Sequence, residues 1–293
     1  MPVAIAIAAL VLGSIAFHLF SPWWQTPLAS NWGSIDSALR ITLWICALAF
    51  VSLNLFLAYA VMRYRHRPGH RAHYEPENPR LEKHLTFWTA IGIIGMLAPG
   101  LAAWSKFVTV PKNAGIVEAV GQQWQWTFRF PGPDGILGTA AVKYMTPDNP
   151  LGLNPSDPFG RDDLLVETNE LHLPVGRPVK MVLRSKDVLH DFYVPEFRAR
   201  MDMVPGIVTY FWLTPTTKGR YEILCAELCG TGHHAMRGTV IVEGPKAFDN
   251  WLAQQSSFAQ KLALMGPSSL SALLASANAC TVPVRVPTAR GTI

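Results

Sequence analysis

At 293 residues the chain can hold more than one folded unit, and its composition favours a membrane protein, because 49% of the residues are hydrophobic and only 15% are charged. The net charge of +5 is small for this length and the basic residues cluster in one loop, which argues against nucleic-acid binding. Four cysteines are too few for a disulfide scaffold.

Three apolar stretches within residues 1–112 predict a transmembrane anchor: residues 3–20, 41–62 and 85–104. The first is on the short side for a membrane span and lacks the positive start of a secretory signal, so we expect a retained helix rather than a cleaved signal. The anchor then has two or three helices. The third stretch contains Pro99, which a membrane helix tolerates as a kink.

A basic loop after the second stretch predicts the orientation of the anchor. Arg63, Arg65, Arg67 and Arg71 follow the span directly, and positive residues beside a membrane helix mark the cytoplasmic side. Everything after Lys106 is therefore exported, with either two or three helices. We expect an integral protein of the bacterial inner (cell) membrane whose C-terminal domain lies on the periplasmic or outer side.

Residues 113–245 change in character from long apolar runs to short strand-like segments separated by Pro, Gly and Asn. Short strands with turn residues between them predict an all-β sandwich or barrel. The predicted strands are residues 116–121, 124–130, 164–166, 179–184, 208–213, 221–225 and 239–243.

Two other segments do not fit the strand pattern. Residues 144–163 predict an elaborated loop whose aspartates form turns, with a hard-cation site as the alternative. Residues 246–293 predict a closing helix and a flexible tail that contains Cys280. The tail lacks C-x-x-C-H, so no attached c-type haem is expected.

Residues 225–236, CAELCGTGHHAM, concentrate soft and borderline metal ligands in one stretch, and His190 is a distant partner. Thiols, imidazoles and a thioether together suit copper. A blue-copper site needs only one thiolate. The second cysteine would allow both sulfurs to lie between two copper ions, each completed by one histidine and one weak axial donor.

Three simpler interpretations compete with copper. A zinc site would use both cysteines with one or two histidines, but it would gain nothing from Met236. A disulfide between Cys225 and Cys229 suits an exported domain, yet it leaves the histidines without a purpose. A buried strand position explains Cys225 as a small hydrophobe, but it does not explain Cys229 in a glycine-rich loop.

The motif resembles C-x-E-x-C-x-x-x-H-x-x-M, the copper A motif of cytochrome c oxidase subunit II, and residues 186–206 resemble the upstream histidine segment of that family. The resemblance implies a cupredoxin-like Greek-key sandwich that holds binuclear copper. His234 is not a ligand in that pattern. The implied ligands are two bridging thiolates, two terminal imidazoles, an axial thioether and an axial carbonyl: Cys225, Cys229, His190, His233, Met236 and Glu227.

The resemblance also assigns roles next to the metal. Residues 121–126, GQQWQW, resemble the aromatic segment that receives electrons from cytochrome c, which implies this role for Trp124. The alternative is that Trp124 and Trp126 share one strand face and pack in a core or interface. Glu227 and Asp202 are expected in the shell around the copper ligands, and the resemblance implies that Glu227 also helps to hold a magnesium ion shared with subunit I.

The resemblance implies the electron-accepting subunit of a haem-copper cytochrome c oxidase, which takes electrons from a c-type cytochrome and passes them to haem in catalytic subunit I, where oxygen is reduced to water. Its expected partners are subunits I and III and membrane lipid, but not nucleic acid. Glu82 is displaced by nearly one helical turn from the family's proton-channel position. This keeps a haem-copper nitric oxide reductase open as an alternative, and a membrane-anchored copper delivery protein is a further one.

Overall fold

The computed structural model describes residues 2–21, 26–71, 76–266, 271 and 275. Cys280 and most of the predicted tail lie outside the described residues. The chain divides into two compact units, which are described separately. The first comprises residues 1–26 and 33–105, and the second comprises residues 27–32 and 106–293.

The described residues of the first unit form three helices, of which the third continues to Val108: α1 Pro2–Phe20, α2 Gly33–Arg63 and α3 Pro79–Val108. Each is long and apolar enough to cross a membrane, and each contains one of the predicted spans. Their leucine, isoleucine and tryptophan side chains are largely exposed, as expected for surfaces that face lipid. The prediction of an apolar helical anchor is confirmed, with three helices. Pro99 lies inside α3 without ending it.

The second unit is a β-sandwich, which confirms the predicted fold of this part of the chain. Its described residues up to 266 also include two short α-helices, α4 Pro245–Leu252 and α5 Phe258–Leu264. Its described strands are β1 Gly115–Gln122, β2 Gln125–Phe130, β3 Leu164–Val166, β4 Glu170–Pro174, β5 Val179–Ser185, β6 His190–Val194, β7 Ala199–Met203, β8 Thr209–Leu213, β9 Gly219–Cys225, β10 Arg237–Glu243 and β11 Ser256–Ser257.

The strands form two sheets whose orders differ from the chain order, as Greek-key connections require. One sheet has the order β11-β3-β2-β1-β5-β8 and the other β4-β10-β9-β6-β7. Alternate residues of both sheets meet in the core, among them Phe128, Met181, Phe192 and Phe211, which are almost completely buried. Within the second sheet β6 pairs with β9, so that Phe192 lies opposite Cys225.

Residues 131–163 cover the outer face of the first sheet. Leu151 and Leu153 pack there in a cluster that also contains Val120 of β1 and Phe258 of α5. The carboxylate of Asp157 accepts hydrogen bonds from Thr139 and from the backbone of Phe159. Its oxygens are therefore used to shape turns, which supports the turn-forming interpretation of this aspartate.

A buried cluster of charges also lies on this face. The guanidinium of Arg129 donates to Glu118 and to Asp163, both at 2.7 Å, and Arg184 donates to the second oxygen of Glu118 at 2.8 Å. Burial alone would raise the pKa of Glu118, but the charges of Arg129 and Arg184 outweigh that effect and lower the pKa to about 2. Glu118 is thus a buried carboxylate that stays ionised.

Residues 27–32, here called the strap, belong to the β-sandwich although they precede α2 in the chain. Ser30 forms a β-bridge with Pro215, and the Ala29 amide donates to the Glu196 carbonyl at 2.8 Å. Trp32 is 2% exposed, and its indole N–H donates to the Trp212 carbonyl at 2.8 Å. The strap was not predicted from the sequence.

Candidate metal centre

The candidate metal centre lies at one end of the second sheet, where three chain segments meet. His190 begins β6 and Cys225 ends β9, and the sheet places these two strands side by side. Residues 226–236, here called the metal loop, connect β9 to β10. The loop is closed at its base because the Cys225 amide donates to the Met236 carbonyl at 3.3 Å. Strand pairing thus brings His190 to the cysteines.

Two free thiols lie at the centre of the site. The Sγ atoms of Cys225 and Cys229 are 3.7 Å apart, and both side chains are buried. Together with His190 they form a group whose ligand atoms all lie within 4.8 Å of one another. The structure therefore contains no disulfide between Cys225 and Cys229, but a sulfur pair close enough to share metal ions.

Each sulfur faces one imidazole and one weak donor. Cys225 Sγ lies 3.8 Å from Nδ1 of His190 and 3.2 Å from the carbonyl oxygen of Glu227. Cys229 Sγ lies 3.5 Å from Nδ1 of His233 and 3.9 Å from Sδ of Met236. All six residues predicted as ligands are thus brought together, in two matching halves. His234, which was predicted not to be a ligand, is exposed.

The imidazole of His190 is oriented from its far side. Its Nε2 lies 2.8 Å from Oδ1 of Asp187, and the ring is completely buried. When Nε2–H donates to this carboxylate, Nδ1 keeps a free lone pair directed at Cys225. Oδ2 of Asp187 accepts the backbone N–H of Gln123 at 2.7 Å. Asp187 therefore joins His190 to the turn between β1 and β2.

The two thiols differ in acidity. Burial would raise the pKa of Cys225, but the contact with His190 and hydrogen bonds from the backbone of Asp191 and Glu227 lower it to about 6. Burial raises the pKa of Cys229 to about 11, and the neighbouring Cys225 sulfur adds to this effect. One thiolate is therefore ready at neutral pH, while Cys229 keeps its proton until a cation arrives.

A second charged group fixes the start of the metal loop. Arg200 donates to the carboxylate of Asp191 at 3.1 Å and to the Ala226 carbonyl at 3.3 Å. Burial, followed by a hydrogen bond with Asp202, raises the pKa of Asp191 to about 7. These contacts connect the loop to β6 and β7 beside the predicted magnesium residue, Glu227.

The two tryptophans of residues 121–126 have different environments. Trp126 is 1% exposed and packs edge-on against Phe192 in the core, so the packing interpretation describes it well. Trp124 lies in the turn before β2, is 39% exposed, and has its indole against Gly232 of the metal loop. Of the two tryptophans, Trp124 is thus the one that contacts both solvent and the metal loop.

Sequence reasoning missed several residues around this site, among them Asp191 and Arg200 as well as the three that follow. Asp187 precedes His190 by three positions, a spacing that could have suggested the contact. Gln123, whose side-chain amide donates to the Cys229 carbonyl at 2.7 Å, gives no such signal. Gly232 gives no signal in the sequence either, because only the structure shows that the Trp124 ring packs on it.

Comparison with known proteins decides the family. Residues 116–244 match the family described as cytochrome C oxidase subunit II, periplasmic domain. The chain is 56% identical to the alternative cytochrome c oxidase subunit 2 of Bradyrhizobium diazoefficiens over 259 residues, which cover 88% of this chain and 94% of that relative. The chain belongs to the cytochrome c oxidase subunit II family.

Other members of the cytochrome c oxidase subunit II family match less closely. Cytochrome c oxidase subunit 2 of Thermostichus vulcanus is 32% identical, over 77% of this chain and 76% of the relative. The solved periplasmic domain of subunit II from Bradyrhizobium japonicum is 26% identical, covers 50% of this chain and 95% of its own, and has a TM-score of 0.37. Membership confirms the predicted family and the prediction that the chain is a subunit of an oxidase complex.

Proposed function

We propose that this chain is the electron-accepting subunit of a haem-copper cytochrome c oxidase and that it holds a binuclear copper A centre. The observation that carries the proposal is the matched arrangement of donors around the sulfur pair. Each of two sulfurs 3.7 Å apart faces its own imidazole nitrogen and its own weak donor. A single metal ion would not need two such sets.

The donor chemistry fits copper better than zinc. Structural zinc takes four thiolate or imidazole ligands in a tetrahedron, whereas a weak thioether and a backbone carbonyl are typical companions of copper. The buried Met236, 1% exposed, places its sulfur next to Cys229. The zinc interpretation gives this methionine no role.

Each residue then has a defined task. Two thiolates, two imidazoles, one thioether and one backbone carbonyl would hold the copper ions: Cys225, Cys229, His190, His233, Met236 and Glu227. When bound, the copper pair supplies a one-electron relay whose charge is spread over two ions. The protein holds the ligands in place through Asp187 and Arg200 and keeps water from the buried sulfurs.

The surroundings of the site support the direction of electron flow. Trp124 is exposed on one side and contacts the metal loop on the other, so we assign it as the residue at which electrons from a c-type cytochrome arrive. Electrons then pass to haem in subunit I, where oxygen is reduced to water. Subunit III and membrane lipid complete the assembly, and Glu227 shares a magnesium ion with subunit I.

The orientation proposed for this function places the β-sandwich outside the bacterial inner membrane. The basic residues after α2, among them Arg65 and Arg67, lie on the cytoplasmic side of the three helices. The other end of α2 and the β-sandwich then face the periplasm, where a soluble cytochrome can reach Trp124.

Two alternatives use the same site. In a haem-copper nitric oxide reductase the displaced Glu82, which lies in the first turn of α3, would not serve a proton channel. Purification with the catalytic subunit and assay of oxygen against nitric oxide consumption separates the two. A copper delivery protein would release its metal to a mild chelator, whereas an electron carrier with buried ligands would keep it.

Electron paramagnetic resonance of the full-length, copper-loaded protein tests the proposal. We expect two copper ions per chain and a mixed-valence spectrum in which the unpaired electron is shared equally between both nuclei. A spectrum from one localised copper ion, or purification with zinc at full occupancy, would contradict it.

A further inference from the structure

The turn that carries Trp124 is tied to the metal loop by the residue before it. The side-chain amide of Gln123 donates to the carbonyl of Cys229 at 2.7 Å. The backbone N–H of Gln123 donates to Asp187, whose other oxygen contacts His190. The turn is therefore fixed from both sides of the metal centre, and the position of the Trp124 ring relative to the loop is closely defined.

The indole of Trp124 lies directly on the backbone of Gly232. A Cβ atom at Gly232 would lie 2.4 Å from Cδ2, 2.7 Å from Cε3 and 2.8 Å from Cε2 of the indole. These atoms belong to the rigid fused ring and not to a flexible chain end, so no small movement of one atom relieves the overlap. The ring can hold this position only because residue 232 has no side chain.

The backbone conformation at position 232 does not require a glycine. Gly232 has φ −90° and ψ 9°, a combination that other residues adopt in turns. Gly230, two residues earlier, has φ +124°, where glycine is favoured for its backbone alone. The loop is also held in place, because the N–H of His233 donates to Gly230 at 3.1 Å and that of Ala235 donates to Gly232 at 2.9 Å.

We infer that Gly232 is a positioning residue for electron transfer: its bare backbone lets the Trp124 indole reach contact with the metal loop between the ligands Cys229 and His233. This inference rests on the proposed function. One electron leaves the ferrous haem of the donor cytochrome, which becomes ferric, and is taken up at the copper pair. The indole closes the gap between donor and acceptor, and a methyl group at position 232 would open it.

The contact itself can be tested without metal. We expect Gly232→Ala to lower the thermal midpoint of the metal-free, full-length protein, and to leave it unchanged in a Trp124→Ala background, where the overlapping ring is gone. Thr231→Ala, at an exposed position of the same loop, is the matched control and should change neither background. Equal lowering in both backgrounds, or no lowering in either, would overturn the inference.

The role in electron transfer needs the copper-loaded protein. We expect Gly232→Ala to slow reduction by a ferrous c-type cytochrome several-fold, because a wider gap between the indole and the metal loop weakens the electronic coupling across it. The rate of reduction by dithionite and the electron paramagnetic resonance spectrum should be the same as in the unsubstituted protein, because no ligand is changed. Thr231→Ala should transfer electrons at the unsubstituted rate.

Three results would contradict the role of Gly232: an unchanged rate with cytochrome, equal slowing with dithionite, or failure of Gly232→Ala to bind copper. The last would assign the glycine to the metal site and not to the tryptophan. A missing two-copper spectrum in the unsubstituted protein is a different result. It would remove the proposed function, while the metal-free comparison would still decide whether the indole requires the glycine.

Discussion

Nε2 of His190 lies 2.8 Å from Oδ1 of Asp187, so a carboxylate at the rim of the site orients a buried ligand. Loss of such a contact typically costs 10–100-fold in metal affinity. We expect Asp187→Ala to weaken copper binding by about that factor, measured by competition with a chelator, and Asp187→Asn to weaken it less because an acceptor oxygen remains. Asp148→Ala, at an exposed position in residues 131–163, should leave the affinity unchanged.

The sulfur pair provides a direct test of the number of metal ions. Replacement of either Cys225 or Cys229 by serine removes a donor that both ions would share. We expect the copper content to fall from two ions per chain to one at most, and the resonance spectrum to become that of a localised copper. Cys46→Ser, in α2, is the matched control and should keep both ions. Two retained ions in Cys225→Ser would refute the bridging role.

The buried charge cluster predicts how the stability of the β-sandwich depends on pH. The pKa of Glu118 is about 2 in the folded protein against 4.5 for a free carboxyl group. Its contribution is therefore fully present above pH 4.5 and is lost as the pH falls towards 2. The shift corresponds to about 3 kcal/mol of unfolding free energy.

Glu118→Gln isolates this contribution. We expect this substitution to reduce the free energy of unfolding by about 3–5 kcal/mol at neutral pH. The reason is that Arg129 and Arg184 lose the buried carboxylate with which both form ion pairs. The difference from the unsubstituted protein should shrink between pH 4.5 and 2. Glu222→Gln breaks an exposed pair with Arg237 and should cost about 1 kcal/mol or less. Unfolding followed by circular dichroism of the β-structure provides the measurement. A difference in unfolding free energy that does not depend on pH would refute the lowered pKa of Glu118.

Trp32 lies in the strap, which is separated in sequence from the rest of the β-sandwich unit. We expect its side chain to stabilise this unit. Its ring centroid lies 5.0 Å from those of Phe107 and Trp212. Truncation of a buried tryptophan typically costs about 3–5 kcal/mol, so Trp32→Ala should lower the unfolding midpoint of the sandwich. Trp44→Ala removes a tryptophan that is 75% exposed on α2 and should leave that midpoint in place. Equal effects of the two substitutions would show that the strap does not contribute.

The site residues that could be predicted from the sequence are those whose type is restricted by metal-binding chemistry. The residues whose role depends on the fold were missed. Cys225, Cys229, His233 and Met236 were found because few residue types bind soft metals and all four lie within residues 225–236. β6, which carries His190, was not among the predicted strands, because its five residues, HDFYV, mix polar and apolar side chains. Its pairing with β7 on one side and β9 on the other makes it a strand.

Contacts between distant segments explain the other omissions. Nothing in a glycine indicates the ring that packs on it, and nothing in residues 27–32 indicates that their backbone groups and the Trp32 side chain bond to residues 196–216. The helical anchor was predictable because its signal is composition alone. Whether it had two or three helices depended on residues 3–20, whose length is marginal for a span.

The strap also determines how the exported domain can be produced in isolation. A fragment that begins at Lys106 would leave the carbonyls of Glu196 and Trp212 and the amide of Thr216 without the partners that residues 27–32 provide. Soluble versions made for spectroscopy or crystallisation should therefore carry these six residues, fused through a linker or added as a synthetic peptide.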